Sequence, residues 1–258
     1  MDVSSLFRLD GRVALVTGGS RGIGQMIAEG FVAAGATVYV TSRKADACEA
    51  TAGALGPTCH ALPGDVSTVA GVQALARALG EREQRLDILV NNAGAAWNAP
   101  LADFPESGWD KVMSLNVKTP FFLVQALLPM LKAARQPAKV INVASVDGLR
   151  PNPWGVYSYQ ASKAALIHLT RRLAAELIAD GIVVTALAPG AFPSEMNRAA
   201  REDAEAVSKA IPAGRVGNAE DIAAAAIYLA SRAGDYVVGS TLPVDGGIVS
   251  AAYSGAAD

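Results

Sequence analysis

The stretch GVYSYQASKAALIHL, residues 155–169, sets two tyrosines and a lysine where a Pro/Gly-rich loop gives way to an apolar helical pattern. A helix turns about 100° per residue, so Tyr159 and Lys163, four apart, share a face, whereas Tyr157 and Lys163 diverge by roughly 120°. If one tyrosine works with the lysine, it is Tyr159. A phenol, with a pKa of about 10, is a suitable proton donor to a nascent alkoxide, and an ammonium on the same face lowers that pKa by stabilising the phenolate. Ser145, at the end of the apolar run AKVINVAS, offers a hydroxyl that would hydrogen-bond a carbonyl oxygen. With a source of hydride, these three groups suit the conversion of a ketone to an alcohol. An exposed tyrosine stacked on a lysine stem, and a plain strand-end serine, would leave the same marks, so the surrounding elements must decide. Tyr157 is left as a structural or pocket-lining residue. His168, nine residues beyond Tyr159, faces away around the helix, and His60 offers no partner.

The elements that must position these groups alternate along the chain. Apolar β-branched runs at 12–18, 37–42, 86–94, 138–145 and 182–190 are separated by Ala-rich helical patterns at 22–34, 44–54, 67–84, 107–134 and 156–180. Parallel neighbours need a crossover, so this alternation predicts an α/β, Rossmann-type, doubly wound parallel sheet with helices on both faces. Weaker strands near 58–63 and 239–245 bring the count to seven, and helices near 196–208 and 219–231 complete the pattern. No linker, charge block or repeat divides the chain, which predicts one domain over 1–258. Trp109, inside a predicted helix, is assigned to the core. In such sheets ligands bind beyond the carboxyl ends of the strands, and the informative residues gather there.

Composition narrows the partner. With 51% hydrophobic and 18% charged residues and a formal charge of -2, the chain has ample material for a core and no basic stretch suited to nucleic acid. A small molecule is the expected partner. Cys48 and Cys59 lie in different predicted elements without metal-ligand company, so buried reduced thiols and no metal are expected. The N-terminal residues lack the apolar core of a signal peptide, and the longest apolar helical segment, 120–131, is too short for a bilayer and holds Gln125 and Pro129. A cytoplasmic protein with no membrane partner is expected.

The hydride source is written at the first strand-to-helix junction, TGGSRGIG, residues 17–24. Gly18 permits a tight turn, Gly22 lets backbone N–H groups approach a pyrophosphate, and Gly24 permits close packing of a helix whose N-terminus favours the anion. Ser20, Arg21 and Ile23 complete the loop. An NAD site would usually carry an Asp or Glu at the end of the second strand, but VTSRK has none before Asp46. Arg43 and Arg21 can instead form charge-assisted bonds to a 2′-phosphate, with Ser42 adding a hydroxyl, so NADP(H) is the expected cofactor.

TGGSRGIG (17–24), GDV (64–66), NNAG (91–94), Asn116 in SLNV, Ser145, YQASK (159–163) and APG (188–190) stand in the order and spacing of the short-chain dehydrogenase/reductase family, which the chain resembles over essentially its whole length. Within that family it is most similar to NADPH-dependent 3-oxoacyl reductases of the rhamnolipid-biosynthesis type, which share the look of GGSRGIGQMIA and APGAFPSEM. The resemblance implies that Asp65 and Val66 contact the adenine and that Asn92, Ala93 and Gly94 line the cofactor cleft. It also implies that Pro189, Gly190, Phe192 and Ser194 hold the nicotinamide. Ser194 stands where the family usually has Thr. Lys163 would bind the nicotinamide ribose as well, and Asn116 would hold a water connecting Lys163 to solvent. The expected reaction is reduction of a ketone, with a 3-oxoacyl thioester favoured and a sugar, steroid or other alcohol dehydrogenase, or a non-catalytic dinucleotide-binding protein, as alternatives. Trp97, Leu149, Trp154, Phe192 and Met196 make the expected substrate pocket apolar. The segment 191–211 is expected to form a lid. Family members are commonly tetramers through the two long helices, and small residues such as Ala161, Ala164 and Ala165 permit that approach.

Overall fold

The computed structural model describes residues 2–135 and 137–251. Strands β1 (Val13–Thr17), β2 (Thr37–Thr41), β3 (Cys59–Ala61), β4 (Ile88–Asn91), β5 (Ala138–Val143), β6 (Ile182–Pro189) and β7 (Thr241–Val244) form a seven-stranded sheet. Their order is β3-β2-β1-β4-β5-β6-β7, and every pairing is parallel. β1, β4, β5 and β6 are buried at every residue, as strands covered on both faces must be.

The crossovers are α1 (Gly22–Ala33), α2 (Ala45–Leu55), α3 (Val69–Gly80), α4 (Glu106–Met113), α5 (Thr119–Lys132) and α6 (Tyr157–Leu177). Two short helices, α7 (Arg198–Glu202) and α8 (Ala204–Ser208), precede α9 (Ala219–Ala230). One core packs Leu75, Leu123, Leu127 and Leu173 from α3, α5 and α6 against the sheet; the other packs Ile27, Phe31, Ile222 and Leu229 from α1 and α9. α1 and α9 approach closely because Gly30 faces Ala223, where a methyl on the glycine would stand 2.6 Å from the Ala223 Cβ. β1 lies between β2 and β4, so strand order reverses there and opens the crevice beyond their carboxyl ends.

Several expectations need correction. The helix expected over 107–134 is two helices joined by a π-helical turn, Ser114–Lys118. The helix expected over 196–208 breaks at Asp203, whose carboxylate accepts the Ala206 N–H and starts α8. Trp109 is not core: it is 41% exposed and meets Phe104 edge-on. His60 does have a partner, since its ring lies 5.1 Å from that of Tyr39. His168 is exposed, and both cysteines are buried and free. Among the described residues no helix is long and apolar enough to cross a membrane.

Candidate active site

The glycine loop is built by its neighbour across the switch point. Thr17 Oγ1, at the end of β1, accepts the backbone N–H groups of Asn92 (2.9 Å) and Ala93 (3.0 Å). Asn92 Nδ2 donates back to the carbonyls of Thr17 (2.9 Å) and Gly18 (3.2 Å). Gly18 and Gly22 adopt φ of +63° and +54°, which only glycine enters without strain. A methyl at Gly24 would overlap Asn92 Nδ2 and the Gly18 carbonyl. The first turn of α1 has no side-chain cap and no acidic residue, which leaves its N–H groups available to an anion.

Beside this loop, β2 ends in a closed turn. Ser42 Oγ donates to the Lys44 carbonyl (3.2 Å) and lies 3.1 Å from Cys48 Sγ, and Arg43 in this turn is exposed. Arg21 is exposed at the loop as well. Asp65 is held below the usual carboxylate range, chiefly by hydrogen bonds from Ser67, with the Arg43 guanidinium adding to them. Val66 is buried, and its carbonyl accepts the Thr119 hydroxyl (2.7 Å).

Ser145, Tyr159 and Lys163 come together at the carboxyl end of β5. Ser145 leaves the strand in extended conformation and caps a 3-10 turn, Val146–Gly148, accepting the Asp147 N–H at 3.1 Å. Lys163 Nζ donates to the Val143 carbonyl (2.7 Å) and stands 5.5 Å from the centre of the Tyr159 ring. Tyr157 points elsewhere: it is 39% exposed, with its ring edge-on to Phe104 at 5.7 Å.

The expected lowering of the Tyr159 pKa by Lys163 is not what this site does. Burial pushes the phenol up to about 12, because phenolate loses its hydration, and a hydrogen bond from the Ser145 hydroxyl opposes this only in part. Burial likewise pushes Lys163 down to about 8, against the pull of Asp147. At neutral pH the pair is therefore a protonated phenol beside an ammonium.

Asn116 sits in the π-helical turn. Its Oδ1 accepts the Ala95 N–H (2.8 Å), and its Nδ2 donates to the Ala95 carbonyl and to Ser162 Oγ, each at 2.9 Å. Ser162 Oγ donates in turn to the Tyr159 carbonyl (2.7 Å). Gly94 lies between these groups: a methyl there would be 3.2 Å from Asn116 Oδ1 and 3.8 Å from Lys163 Nζ. Ser162 escapes a reading of the sequence, although a small polar residue next to Lys163 within YQASK is a signal. Asn142 and Thr170 escape it too. Asn91 Nδ2 donates to Asn142 Oδ1 (2.8 Å) and Asn142 Nδ2 to Thr170 Oγ1 (2.9 Å), a buried polar ladder that links β4, β5 and α6 beneath the site. Its signal is the lone amide inside the apolar run of β5.

The residues assigned to the substrate pocket divide. Trp97 lies flat on Gly108 of α4, where a methyl would come within 2.7 Å of the ring, and Lys111 Nζ stands 5.4 Å from its centre. Leu149, Trp154 (64% exposed) and Met196 (53%) are exposed. Phe192 is corrected: at 2% exposure its ring packs onto Gly217 and into the core, so it supplies no side chain to the pocket. Pro189 ends β6, and Gly190 passes so close to Asp245 that a methyl would be 2.8 Å from its Cα. The chain then crosses the glycine loop. A methyl on Gly22 would lie 3.2 Å from Ser194 Cβ, while Ser194 Oγ accepts the Asn197 N–H (3.1 Å).

The sequence matches the family described as Enoyl-(Acyl carrier protein) reductase over residues 18–249. It is 51% identical over 249 residues to the rhamnolipids biosynthesis 3-oxoacyl-[acyl-carrier-protein] reductase of Pseudomonas aeruginosa, covering 93% of this chain and 97% of that protein. The Pseudomonas aeruginosa RhlG/NADP active-site complex superposes with a TM-score of 0.91 at 51% identity, over 95% of this chain and 98% of the other. A gluconate 5-dehydrogenase of Burkholderia cenocepacia, solved with NADP and tartrate, superposes at 0.90 with 38% identity, over 96% and 99%.

Proposed function

The chain belongs to the short-chain dehydrogenase/reductase family, and from that premise we propose that it reduces a ketone to a secondary alcohol with NADPH, the ketone being a 3-oxoacyl thioester. The observation that carries the reading is Tyr159, a half-buried phenol that stays protonated at neutral pH beside Ser145 and Lys163.

NADPH supplies the hydride. Gly18, Ser20, Arg21, Gly22, Ile23 and Gly24 hold its pyrophosphate, and Ser42, Arg43 and Arg21 receive the 2′-phosphate. Asp65 and Val66 border the adenine. Asn92, Ala93, Gly94, Pro189, Gly190, Ser194 and the backbone at Phe192 enclose the nicotinamide end, and Lys163 holds its ribose. A cradle in which the loop glycines leave no room for side chains, with no acid at the turn after β2, fits this cofactor.

Ser145 Oγ aligns the carbonyl oxygen, and Tyr159 Oη delivers the proton to it as negative charge develops. Lys163 stays cationic beside Tyr159, and Asn116 holds a water that connects Lys163 to solvent, from which the proton is resupplied. Trp97, Leu149, Trp154 and Met196 receive the acyl chain under a lid formed by 191–211. We assign all of 1–258 to one domain, in keeping with a sheet whose strands run from Val13 to Val244. Exposed Ala161 and Ala164 on α6 favour a tetramer built on the long helices, and free buried thiols favour the cytoplasm.

The likeness to a gluconate 5-dehydrogenase favours a second reading, oxidation of a secondary hydroxyl of a sugar or sugar acid at the same site. NADPH consumption measured against acetoacetyl and longer 3-oxoacyl thioesters, alongside sugar ketones, decides between them. Rates that rise with acyl length support the first reading, and turnover of the sugar ketones alone replaces it with the second.

A further inference from the structure

Asp147 has no part in the roles above, yet it is built into the site. It follows Ser145 by two residues, and its backbone N–H donates to Ser145 Oγ at 3.1 Å. The next residue, Gly148, is pressed onto α6, where a methyl would come within 2.6 Å of the Lys163 carbonyl carbon and 2.8 Å of the Ala164 nitrogen. The turn that carries Asp147 is thus fixed at one end by Ser145 and at the other by the helical turn of Lys163. Its carboxyl is half-buried.

The charges around it can be named. Arg150 lies on its own segment, with the guanidinium drawn away to donate to the Ile248 carbonyl (2.6 Å). Asn152 stands beside it, its Oδ1 occupied by the Trp154 N–H (2.9 Å) and Gln160 Nε2 (3.1 Å). Burial raises the Asp147 carboxyl above the usual carboxylate range, against Asn152, Arg150 and Lys163, and its charge in turn raises both Tyr159 and Lys163 on α6.

We propose that Asp147 is a positioning residue for the proton transfer: its charge, held beside Tyr159 and Lys163 by the Ser145–Gly148 turn, extends to higher pH the range over which Tyr159 donates a proton and Lys163 stays cationic. The inference rests on Tyr159 as the proton donor. Its sign follows from Coulomb's law, since a nearby anion disfavours phenolate and favours ammonium, raising both pKa values. Removing the charge lowers both, so the alkaline limb of the reduction moves to lower pH.

The test is the pH profile of kcat/KM for ketone reduction at saturating NADPH and fixed ionic strength, for wild type, Asp147→Asn and Asp147→Glu. The neutral variant is expected to match wild type within about twofold at pH 6.5, and its alkaline limb to fall by about half to one pH unit, a loss of roughly three- to tenfold on that limb. The glutamate variant should keep the wild-type limb. If Asp147→Asn does not fold, Asp147→Ser, small, polar and neutral, carries the same expectation. A uniform loss at every pH, or an unmoved limb in the neutral variant, overturns the proposal and leaves Asp147 a structural residue of the turn. Full turnover by Tyr159→Phe would instead overturn the underlying reading of the site.

Discussion

Tyr159 and Tyr157 are two residues apart and differ in everything that matters to proton transfer. One is half-buried beside Ser145 and Lys163, the other is exposed against Phe104. Tyr159→Phe removes the transferable proton and keeps the ring, so kcat should fall by about 10²- to 10⁴-fold, while NADPH affinity in a fluorescence titration stays near wild type. Tyr157→Phe should be mild; if it were the more damaging of the two, the assignment of the proton donor would be wrong. Helical spacing makes the pairing legible, because α6 is regular from Tyr157 to Leu177. It does not reveal the electrostatics, since desolvation depends on β5 and the Ser145 turn, which only the folded chain brings over the phenol. Arg43 belongs to the same scale. A charge-assisted bond to the 2′-phosphate is worth about 1.5 to 3 kcal/mol, or about tenfold to over a hundredfold in cofactor preference. Arg43→Glu should cost more NADPH preference than Arg43→Ala, because it adds repulsion and can accept from a ribose hydroxyl. Because Arg43 is exposed, kcat/KM for both cofactors has to be compared at one ionic strength. A ratio unmoved by Arg43→Glu would remove the phosphate assignment.

Among the elements, strands and crossover helices are legible because buried parallel strands must be continuous apolar runs, as in Ile182–Pro189 and Ala138–Val143. The π-helical turn at Ser114–Lys118 is not. Its flanks keep an ordinary helical pattern, and it accompanies the pairing of Asn116 with the backbone of Ala95, 21 residues earlier, a contact that no local pattern contains. The segment proposed as a lid is legible as a Pro/Gly loop followed by a charged helical stretch, but its break at Asp203 depends on a capping bond to Ala206. α7 and α8, five residues each, are far too short to be stable alone, and between Ser194 and Ile211 only Ala200 and Ile211 are buried among the described residues. Hydrogen exchange across 194–211 should therefore be fast in the free protein and slow by at least about tenfold when cofactor and substrate analogue are both bound. Unchanged protection in that ternary complex would exclude a lid.

For the molecule as a whole, the sheet separates chemistry from anchorage. The site lies beyond the carboxyl ends of β1, β4 and β5, and the opposite ends are tied together by Asp87, a fully buried acid just before β4. Its carboxylate accepts the backbone N–H groups of Val13 and Arg135, both at 2.8 Å, and pairs with Arg85 (3.3 Å) and Arg12 (3.5 Å). Arg12 donates in turn to the Arg135 carbonyl. One side chain thus joins β1, β4 and the segment that follows α5. Asp87→Ala leaves two backbone donors without their acceptor and two guanidinium groups without their anion. The arginines are partly exposed and can recover hydration, so the loss is dominated by the stranded N–H groups, about 3 kcal/mol in all. In a chain of this length that corresponds to a fall in Tm of about 6 to 12 °C. Because the crevice is at the other edge of the same strands, kcat/KM well below the transition should stay within about twofold of wild type. Calorimetry with parallel steady-state kinetics reads both quantities: an unchanged Tm would show that the arginines and backbone re-pair without the acid, and a large loss of turnover at full folding would show that the two edges are coupled through the buried ladder of Asn91, Asn142 and Thr170.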